Sequence, residues 1–381
     1  MKALKIFSRL LLGLVFTFSG FVKAVDPVGS AIKFGDYFNA MGLPELKAYS
    51  LFFAFLLSGL EFLVGFALLF NLKAKLAAWG ALLFMVVFTP LTLWIALKNP
   101  VSDCGCFGDA VKLTNWETFW KNVVLFVSVI ILFIKTEQET KPENLKISYT
   151  VLAIATVFIF VFQWYNYNHL PVIDFRPYSV GTYIPDKMNV PEGAPSDSTV
   201  TYLYYEKDGV VKEFTLDNYP WDDSTWVWKD TKTVVVREGY KPPIHDLEIY
   251  RFDFKTQSEE NILNELLADT SFSLLLISYD LKRAPFKPLK KLADLINYCE
   301  VHKYKTYFIT SSNSSDILRI HAVLPYVIEF YLADATTLKT MIRSNPGLIL
   351  LKSGTIIAKW HYNDFPDIKE FENIINEQLN K

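Results

Sequence analysis

The chain has 381 residues, which is long enough for about two or three structural units. Hydrophobic residues make up 51% of it and charged residues 20%, and the formal net charge of −2 gives no sign of a nucleic-acid partner. Three cysteines are too few for a disulfide scaffold or a four-cysteine zinc site, so we predict no metal site. Charge-free runs lie mainly in the first half and most charged residues follow Phe175, which indicates a membrane half and then a soluble half.

Five segments are apolar enough to be transmembrane helices, for which a bilayer core requires about 20 residues. They cover residues 10–22, 48–72, 76–97, 118–134 and 147–168. The first is short, but the stems of Lys5, Arg9 and Lys23 can lie along the helix and place their charges at the interface. It has no small-x-small cleavage site, so we expect a retained helix rather than a signal peptide.

Lys and Arg are unevenly distributed between the loops, and the excess marks the cytoplasmic side. With the N-terminus inside, the inner segments hold Lys2, Lys5, Arg9, Lys73, Lys75, Lys135, Lys141 and Lys146, whereas the outer loops hold Lys33, Lys47, Lys98 and Lys112, with Lys23 and Lys121 ambiguous. This bias predicts a multi-pass protein of the cytoplasmic (inner) membrane with a cytoplasmic N-terminus. An odd number of spans then places residues after 168 on the extracytoplasmic, periplasmic side, together with the loop after the third span.

The soluble half begins with a β-rich linker region over residues 171–252. Its first part, 171–195, is Pro-rich and predicts an extended strap. Residues 199–205 and 210–216 alternate about Lys207-Asp208-Gly209, which predicts a β-hairpin. Residues 226–228, 234–236 and 247–254 are further predicted strands.

Strands and helices alternate in residues 253–381, which predicts a largely parallel sheet closed by an antiparallel hairpin. The predicted strands are 272–278, 306–310, 327–332, 347–351 and 355–360, and the predicted helices are 285–302, 315–323 (capped by Ser314 or Ser315), 335–343 and 367–379. With Pro346 just before the last hairpin, this order resembles a thioredoxin fold. By that resemblance Pro346 is a cis-proline on the partner-binding face, and a helix starts within 279–286. The family's Cys-x-x-Cys pair is missing there, so the resemblance implies partner binding rather than redox chemistry.

Three features of the membrane half resemble the DoxX family, and most closely its MauE branch. They are Arg9 to Gly13 with Phe18-Ser19-Gly20-Phe21-Val22-Lys23, then Ser58-Gly59-Leu60-Glu61 with Gly65, then Cys104-Gly105-Cys106-Phe107-Gly108. The resemblance implies a four-helix membrane unit over residues 1–135, so that residues 136–170 are a cytoplasmic loop and a fifth, tethering helix. It also implies quinone-linked thiol or sulfur oxidation, or maturation of disulfide-containing envelope proteins.

Cys104 and Cys106 are the candidate catalytic residues. A disulfide between cysteines in Cys-x-Cys spacing closes a small ring, which is expected to be strained and therefore easily reduced. Gly105 provides the backbone freedom to close it. The alternatives are a disulfide that only stiffens the loop, and two ligands of a metal site completed by another chain.

Glu61 lies near the middle of its helix, where a carboxylate is costly unless it is neutral or paired. We consider two roles: a proton-linked or quinone-proximal group, and a protonated carboxyl bonded to Ser19, Ser58 or a backbone carbonyl. For Lys23 and Asp26, at the end of the first helix, we weigh interface anchors against site residues and predict interface anchors. Cys299 is predicted to be buried and inert, and the five histidines show no ligand spacing.

Two functions follow from the sequence. The first is a membrane-embedded thiol–disulfide redox protein of the cell envelope, active in envelope protein maturation, with no bound cofactor and with quinone as an electron acceptor. The second is a non-enzymatic subunit of an inner-membrane complex, whose thioredoxin-like domain is a redox-inactive docking module. The expected partners are membrane lipid and envelope client or partner proteins.

Overall fold

The computed structural model describes residues 2–101, 104–134, 145–237, 239–252 and 259–380. Within them, five helices are long and apolar enough to cross a membrane, as predicted. An α/β domain with a mixed sheet follows, so the protein is a membrane helical bundle joined to an α/β domain. The predicted cytoplasmic loop with Lys135 and Lys141 lies outside the described residues, as do Ser102 and Asp103.

The described part of the membrane region contains six α-helices, one more than the sequence predicted. They are α1 (Lys2–Val25), α2 (Pro27–Ala40), α3 (Ser50–Leu69), α4 (Ala74–Lys98), α5 (Asn115–Phe133) and α6 (Leu145–Asn168), and a 3-10 turn (Pro44–Tyr49) precedes α3. The additional helix is α2. Asp26 and Pro27 are typical residues for a helix start. The carboxylate of Asp26 accepts a hydrogen bond from the Gly29 amide at 2.7 Å, and Pro27 occupies the first turn.

Helices α1 and α3 approach each other through glycines. A Cβ on Gly20 would lie 2.4 Å from the backbone nitrogen of Phe62, and one on Gly65 would lie 2.2 Å from that of Thr17. Small residues allow backbones in a membrane bundle to pack this closely. The contact fixes the C-terminal half of α1 beside the C-terminal half of α3.

Residues 182–247 form a compact unit of their own. It contains α7 (Ile184–Met188), β1 (Ser198–Lys207), β2 (Val210–Thr215) and β3 (Val227–Arg237). The strands form an antiparallel sheet in the order β2-β1-β3, so the predicted hairpin is confirmed. The two short strands predicted at 226–228 and 234–236 are parts of the single strand β3.

Residues 1–181 and 248–381 pack as one compact unit, which joins the membrane region to the α/β domain. The α/β domain contains β4 (Tyr250–Phe252), β5 (Glu259–Asn261), α8 (Leu263–Ala268), β6 (Phe272–Ser278), α9 (Phe286–Lys291), α10 (Ala293–Val301), β7 (Lys305–Thr310), α11 (Ser314–His321), β8 (Phe330–Leu332), α12 (Ala335–Met341), β9 (Gly347–Lys352), β10 (Thr355–His361) and α13 (Ile368–Leu379). Its seven strands have the order β10-β9-β6-β7-β8-β4-β5. Strands β6, β7 and β8 are parallel, and β9 and β10 form the predicted antiparallel hairpin.

Local predictions for this domain are confirmed in part. The Asn345–Pro346 bond is cis, and the first helix after β6 starts at Phe286, the last residue of the predicted segment. The predicted helix 285–302 is instead two helices, because the Leu292 amide bonds three residues back to Leu289 and tightens the turn between them. The cap of α11 is Asn313 rather than a serine, since its side chain accepts from the Asp316 amide at 3.0 Å.

Candidate functional site

The two cysteines of the loop between α4 and α5 lie side by side. Their Sγ atoms are 2.9 Å apart, so a small movement brings them to the roughly 2.0 Å of a disulfide bond. Gly105 between them has a φ of +62°, a left-handed conformation that favours glycine. The Cys104 carbonyl accepts from the Tyr37 hydroxyl on α2, and the Cys106 carbonyl accepts from the Ser19 hydroxyl on α1 at 2.6 Å. Hydrogen bonds therefore connect the backbone of both cysteines to helices.

Both cysteines line a cavity that extends into the helical bundle. Its empty volume is about 810 Å³, including the space at its open side. The apolar part of its wall is formed by Val15, Phe16, Phe34, Leu57, Phe84, Met85, Phe88, Leu91 and Leu125, and the polar part by Ser19, Lys23, Ser30, Lys33, Tyr37, Ser58, Glu61, Lys121 and Asn122. An apolar pocket with a few convergent polar groups is the usual form of a small-molecule site.

The intramembrane carboxylate is paired with a lysine. Glu61 Oε2 lies 2.6 Å from Lys23 Nζ, and the two side chains are 15% and 19% exposed. Ser58 donates instead to Ala54 and Gln163, so neither Ser19 nor Ser58 is the partner of Glu61. The anchor prediction for Lys23 is corrected as well: the helix carries its ammonium inward to the carboxylate instead of outward to the interface.

The surroundings of the two thiols differ. A hydrogen bond from Cys104 lowers the pKa of Cys106, and the charges of Lys121 and Lys23 lower it further, although burial opposes them. The bond to Cys106 and burial raise the pKa of Cys104. Such a pair loses its first proton from Cys106, and the thiolate is the reactive form of cysteine.

The α/β domain has no comparable thiol pair among its described residues. The segment that follows β6 is held by Asn345, whose amide donates to the Asp280 carbonyl at 2.8 Å and accepts from the Ser278 hydroxyl at 2.9 Å. Cys299 is buried in the core, and burial raises its pKa to about 12, as expected for an inert thiol. Pro346, the predicted partner-binding candidate, is also buried, so neighbouring residues cover it.

Sequence reasoning missed a charged cluster between the membrane region and the α/β domain. Arg343 Nε lies 2.8 Å from Asp26 Oδ2, and Arg343 Nη2 lies 3.6 Å from Asp109 Oδ2 in the cysteine loop. Asp174 lies 2.7 Å from Arg176 and 2.8 Å from Lys359. The prediction that Asp26 is an interface anchor is therefore wrong, because its carboxylate caps α2 and binds Arg343. The N-cap pattern of Asp26 and Pro27 was the one sequence signal for this residue.

Comparison with known families finds a match in the membrane region. Residues 1–135 match the family described as methylamine utilisation protein MauE. This segment is similar to the MauE family over those residues. It contains α1 to α5 and both loop cysteines, so the MauE resemblance found in the sequence is confirmed for these residues.

A second match falls on the three-stranded sheet. Residues 199–238 match a domain of unknown function, DUF8463. No curated protein matches the chain. The thioredoxin resemblance of residues 253–381 and the wider DoxX assignment stay predictions.

Proposed function

We propose that this MauE-type membrane protein is a thiol–disulfide oxidoreductase of the cell envelope, with Cys104 and Cys106 as the exchanging pair. The observation that supports it most is the 2.9 Å approach of their sulfur atoms in the wall of a cavity that enters the bundle. A merely structural bridge would not need an adjoining cavity lined by charged and aromatic side chains. The Lys and Arg bias predicts that this loop lies on the extracytoplasmic side, where disulfides persist.

The reaction has two balanced halves. A client dithiol passes two electrons and two protons to the Cys104–Cys106 disulfide, which leaves a client disulfide and a reduced loop. The reduced pair then passes two electrons and two protons to a quinone, which becomes a quinol, and the loop disulfide forms again. A quinone suits the aromatic wall formed by Phe16, Phe34, Phe84 and Phe88 and is available in the membrane.

Glu61 is the candidate for the proton-linked group of this cycle. It lines the same cavity as the cysteines and is salt-bridged to Lys23 at 2.6 Å. A carboxylate in the same cavity as the cysteines can accept a proton that a thiol releases. The charged pair, rather than a neutral carboxyl, is the form that supports this role.

The α/β domain is assigned a partner-positioning role. Its element order and the cis peptide before Pro346 support the thioredoxin resemblance, while its described residues offer no second thiol near the buried Cys299. This absence also favours the rival function, a non-enzymatic subunit of an inner-membrane complex. The two functions differ in whether the loop cysteines exchange with other proteins.

The test is trapping of mixed disulfides in cells. In Cys106→Ser the loop disulfide cannot form, and exchange is left to the Cys104 thiolate, which attacks a client disulfide, bonds to one client sulfur and releases the other as a thiolate. No Cys106 is present to resolve this mixed disulfide, so mixed disulfides with envelope proteins are expected to accumulate on non-reducing gels. Cys299→Ser is the matched control and should accumulate none, because it removes only the buried thiol and keeps Cys106 to resolve mixed disulfides. A structural bridge predicts that Cys104→Ser and Cys106→Ser behave alike and trap nothing, which would favour the docking subunit.

A further inference from the structure

The ammonium group of Lys23 links the intramembrane carboxylate to the cysteine loop. Its Nζ lies 2.6 Å from Glu61 Oε2 and 3.2 Å from Ser19 Oγ. Ser19 Oγ in turn donates to the Cys106 carbonyl at 2.6 Å. A continuous hydrogen-bonded chain therefore runs from Glu61 through Lys23 and Ser19 to the backbone of Cys106.

The helices make this chain rigid. Lys23 and Ser19 are one turn apart on α1, so their side chains lie on the same face. The close packing of α1 on α3 at Gly20 holds that face against the helix that carries Glu61. The arrangement depends on packed backbone rather than on a mobile surface loop.

The groups that face Cys106 come from four elements. Lys23 and Glu61 come from α1 and α3, Lys121 comes from α5, and Cys104 is in the loop itself. Two helices thus direct positive charge toward the sulfur, and the one carboxylate in this set is neutralised by Lys23. Tyr37 and Lys33 of α2 line the cavity on the Cys104 and Gly105 side.

We infer that Lys23 is a positioning residue for the cysteine pair: it fixes the Cys106 backbone through Ser19, and its charge acts with the hydrogen bond from Cys104 and the charge of Lys121 to favour the thiolate at Cys106. This inference rests on the proposed function for its purpose. A client thiolate then forms a bond to Cys104 Sγ, the Cys104–Cys106 bond breaks, and its electron pair leaves on Cys106. A thiol of low pKa is the faster leaving group, which makes Cys104 the carrier of the mixed disulfide.

The test measures the alkylation of each thiol in the full-length, reduced protein in detergent micelles. Iodoacetamide is added for short times across a pH series, and fragmentation mass spectrometry assigns each singly alkylated product to Cys104 or Cys106. In the wild type, Cys106 is expected to react first. The pH at which its alkylation rate inflects should lie below that of an ordinary cysteine. Equal rates at the two thiols, or faster reaction at Cys104, would overturn the inference.

Two variants are expected to move the Cys106 inflection in opposite directions. Lys23→Met removes a stabilising charge and should raise it, whereas Glu61→Gln leaves the charge of Lys23 without its counterion and should lower it. Lys23→Arg keeps the charge and should restore much of the wild-type profile. A purely structural role for Lys23 predicts no such opposition, so shifts in the same direction, or none, would refute the inference.

Two further variants control the experiment. Lys23→Met can misfold because it leaves Glu61 buried without a partner. In that case the Lys23→Met, Glu61→Gln double variant replaces it. The inflection pH of Cys106 alkylation in the double variant should lie above that in Glu61→Gln alone. An unchanged inflection between those two proteins would count against the inference. Lys112→Met removes an exposed charge from the same loop and should leave the profile nearly unchanged. A normal alkylation profile without mixed disulfides in cells would overturn the proposed function but not this role of Lys23.

Discussion

Arg343 of the α/β domain and Asp26 of the membrane region form a buried ion pair, with Nε 2.8 Å from Oδ2. The two side chains are only 7% and 19% exposed. Burial alone would raise the pKa of Asp26, but Arg343 and Arg176 lower it below the ordinary range. Because Asp26 also caps α2, the helix that carries Tyr37 to Cys104, the pair connects the α/β domain to the support of the cysteine loop.

Loss of Arg343 should destabilise the full-length protein. Arg343→Met leaves the Asp26 carboxylate buried and unpaired, and breaking a buried pair typically costs about 3–5 kcal/mol. Denaturant unfolding in detergent measures the change. Arg319→Met is the control, because Arg319 is exposed and its carboxylate neighbour Asp316 is 3.8 Å away, so its effect should stay below about 1 kcal/mol. Equal effects of the two substitutions would contradict the importance of the buried pair.

The buried His361 should make stability depend on pH. Burial lowers its pKa to about 4, although Asp364 acts in the opposite direction, and its Nδ1 accepts from the Asn363 amide, which requires the neutral ring. An unfolded histidine has a pKa of about 6.5, so the unfolded state binds more protons between these values. Stability from this group is therefore complete above about pH 6.5 and falls as the pH drops toward 4.

Unfolding of the full-length protein at pH 7 and pH 4.5 measures this contribution. The stability difference between the two pH values should be smaller in His361→Gln than in the wild type. The exposed His302 provides the control, and His302→Gln should keep the wild-type difference. If His361→Gln kept it as well, protonation of this ring would not be the cause.

The glycine contact between α1 and α3 should tolerate no added methyl group. A Cβ on Gly65 would lie 2.2 Å from the Thr17 backbone nitrogen, so Gly65→Ala must separate the helices and disturb the Lys23–Glu61 pair. We expect a lower melting temperature and less folded protein in the membrane. Gly35→Ala on α2 meets its nearest atom at 3.4 Å and should be tolerated. Equal yields and melting temperatures for both variants would contradict this prediction, because α1 and α3 would then accommodate a methyl group at Gly65.

The proposed topology predicts the result of a protease experiment. With the N-terminus in the cytoplasm and five spans, protease added to spheroplasts should remove the α/β domain. A reporter fused to residue 140 should stay protected until the membrane is opened. Protection of the α/β domain in intact spheroplasts would reverse the orientation, and the cysteine loop would then face the cytoplasm.

The sequence predicts elements whose pattern is local. The five spans follow from long apolar runs with few or no charges, and the β9–β10 hairpin follows from two apolar runs around a turn at Ser353 and Gly354. Helix α2 was missed because its apolar residues form no long run, even though Asp26 and Pro27 mark its start.

Contacts between distant segments could not be predicted. Lys23 and Glu61 are 38 positions apart, and Asp26 and Arg343 are 317 apart. In the sequence alone, Lys23 and Asp26 look like interface anchors and Glu61 like an intramembrane carboxylate without an identified charged partner. The pairing of these charges follows from tertiary packing. It depends on the packing of α1 on α3 and of the α/β domain on the membrane region.

The most direct test of the central claim is the redox state of Cys104 and Cys106 in intact cells. Cells carrying the Cys299→Ser protein are quenched in acid and alkylated with a mass-tagged maleimide, with and without depletion of quinone. We predict both the disulfide and the dithiol form in normal cells, and a shift toward the dithiol form when quinone is depleted. A pair that stays fully oxidised, or fully reduced, under both conditions would contradict quinone-linked thiol–disulfide exchange at this site.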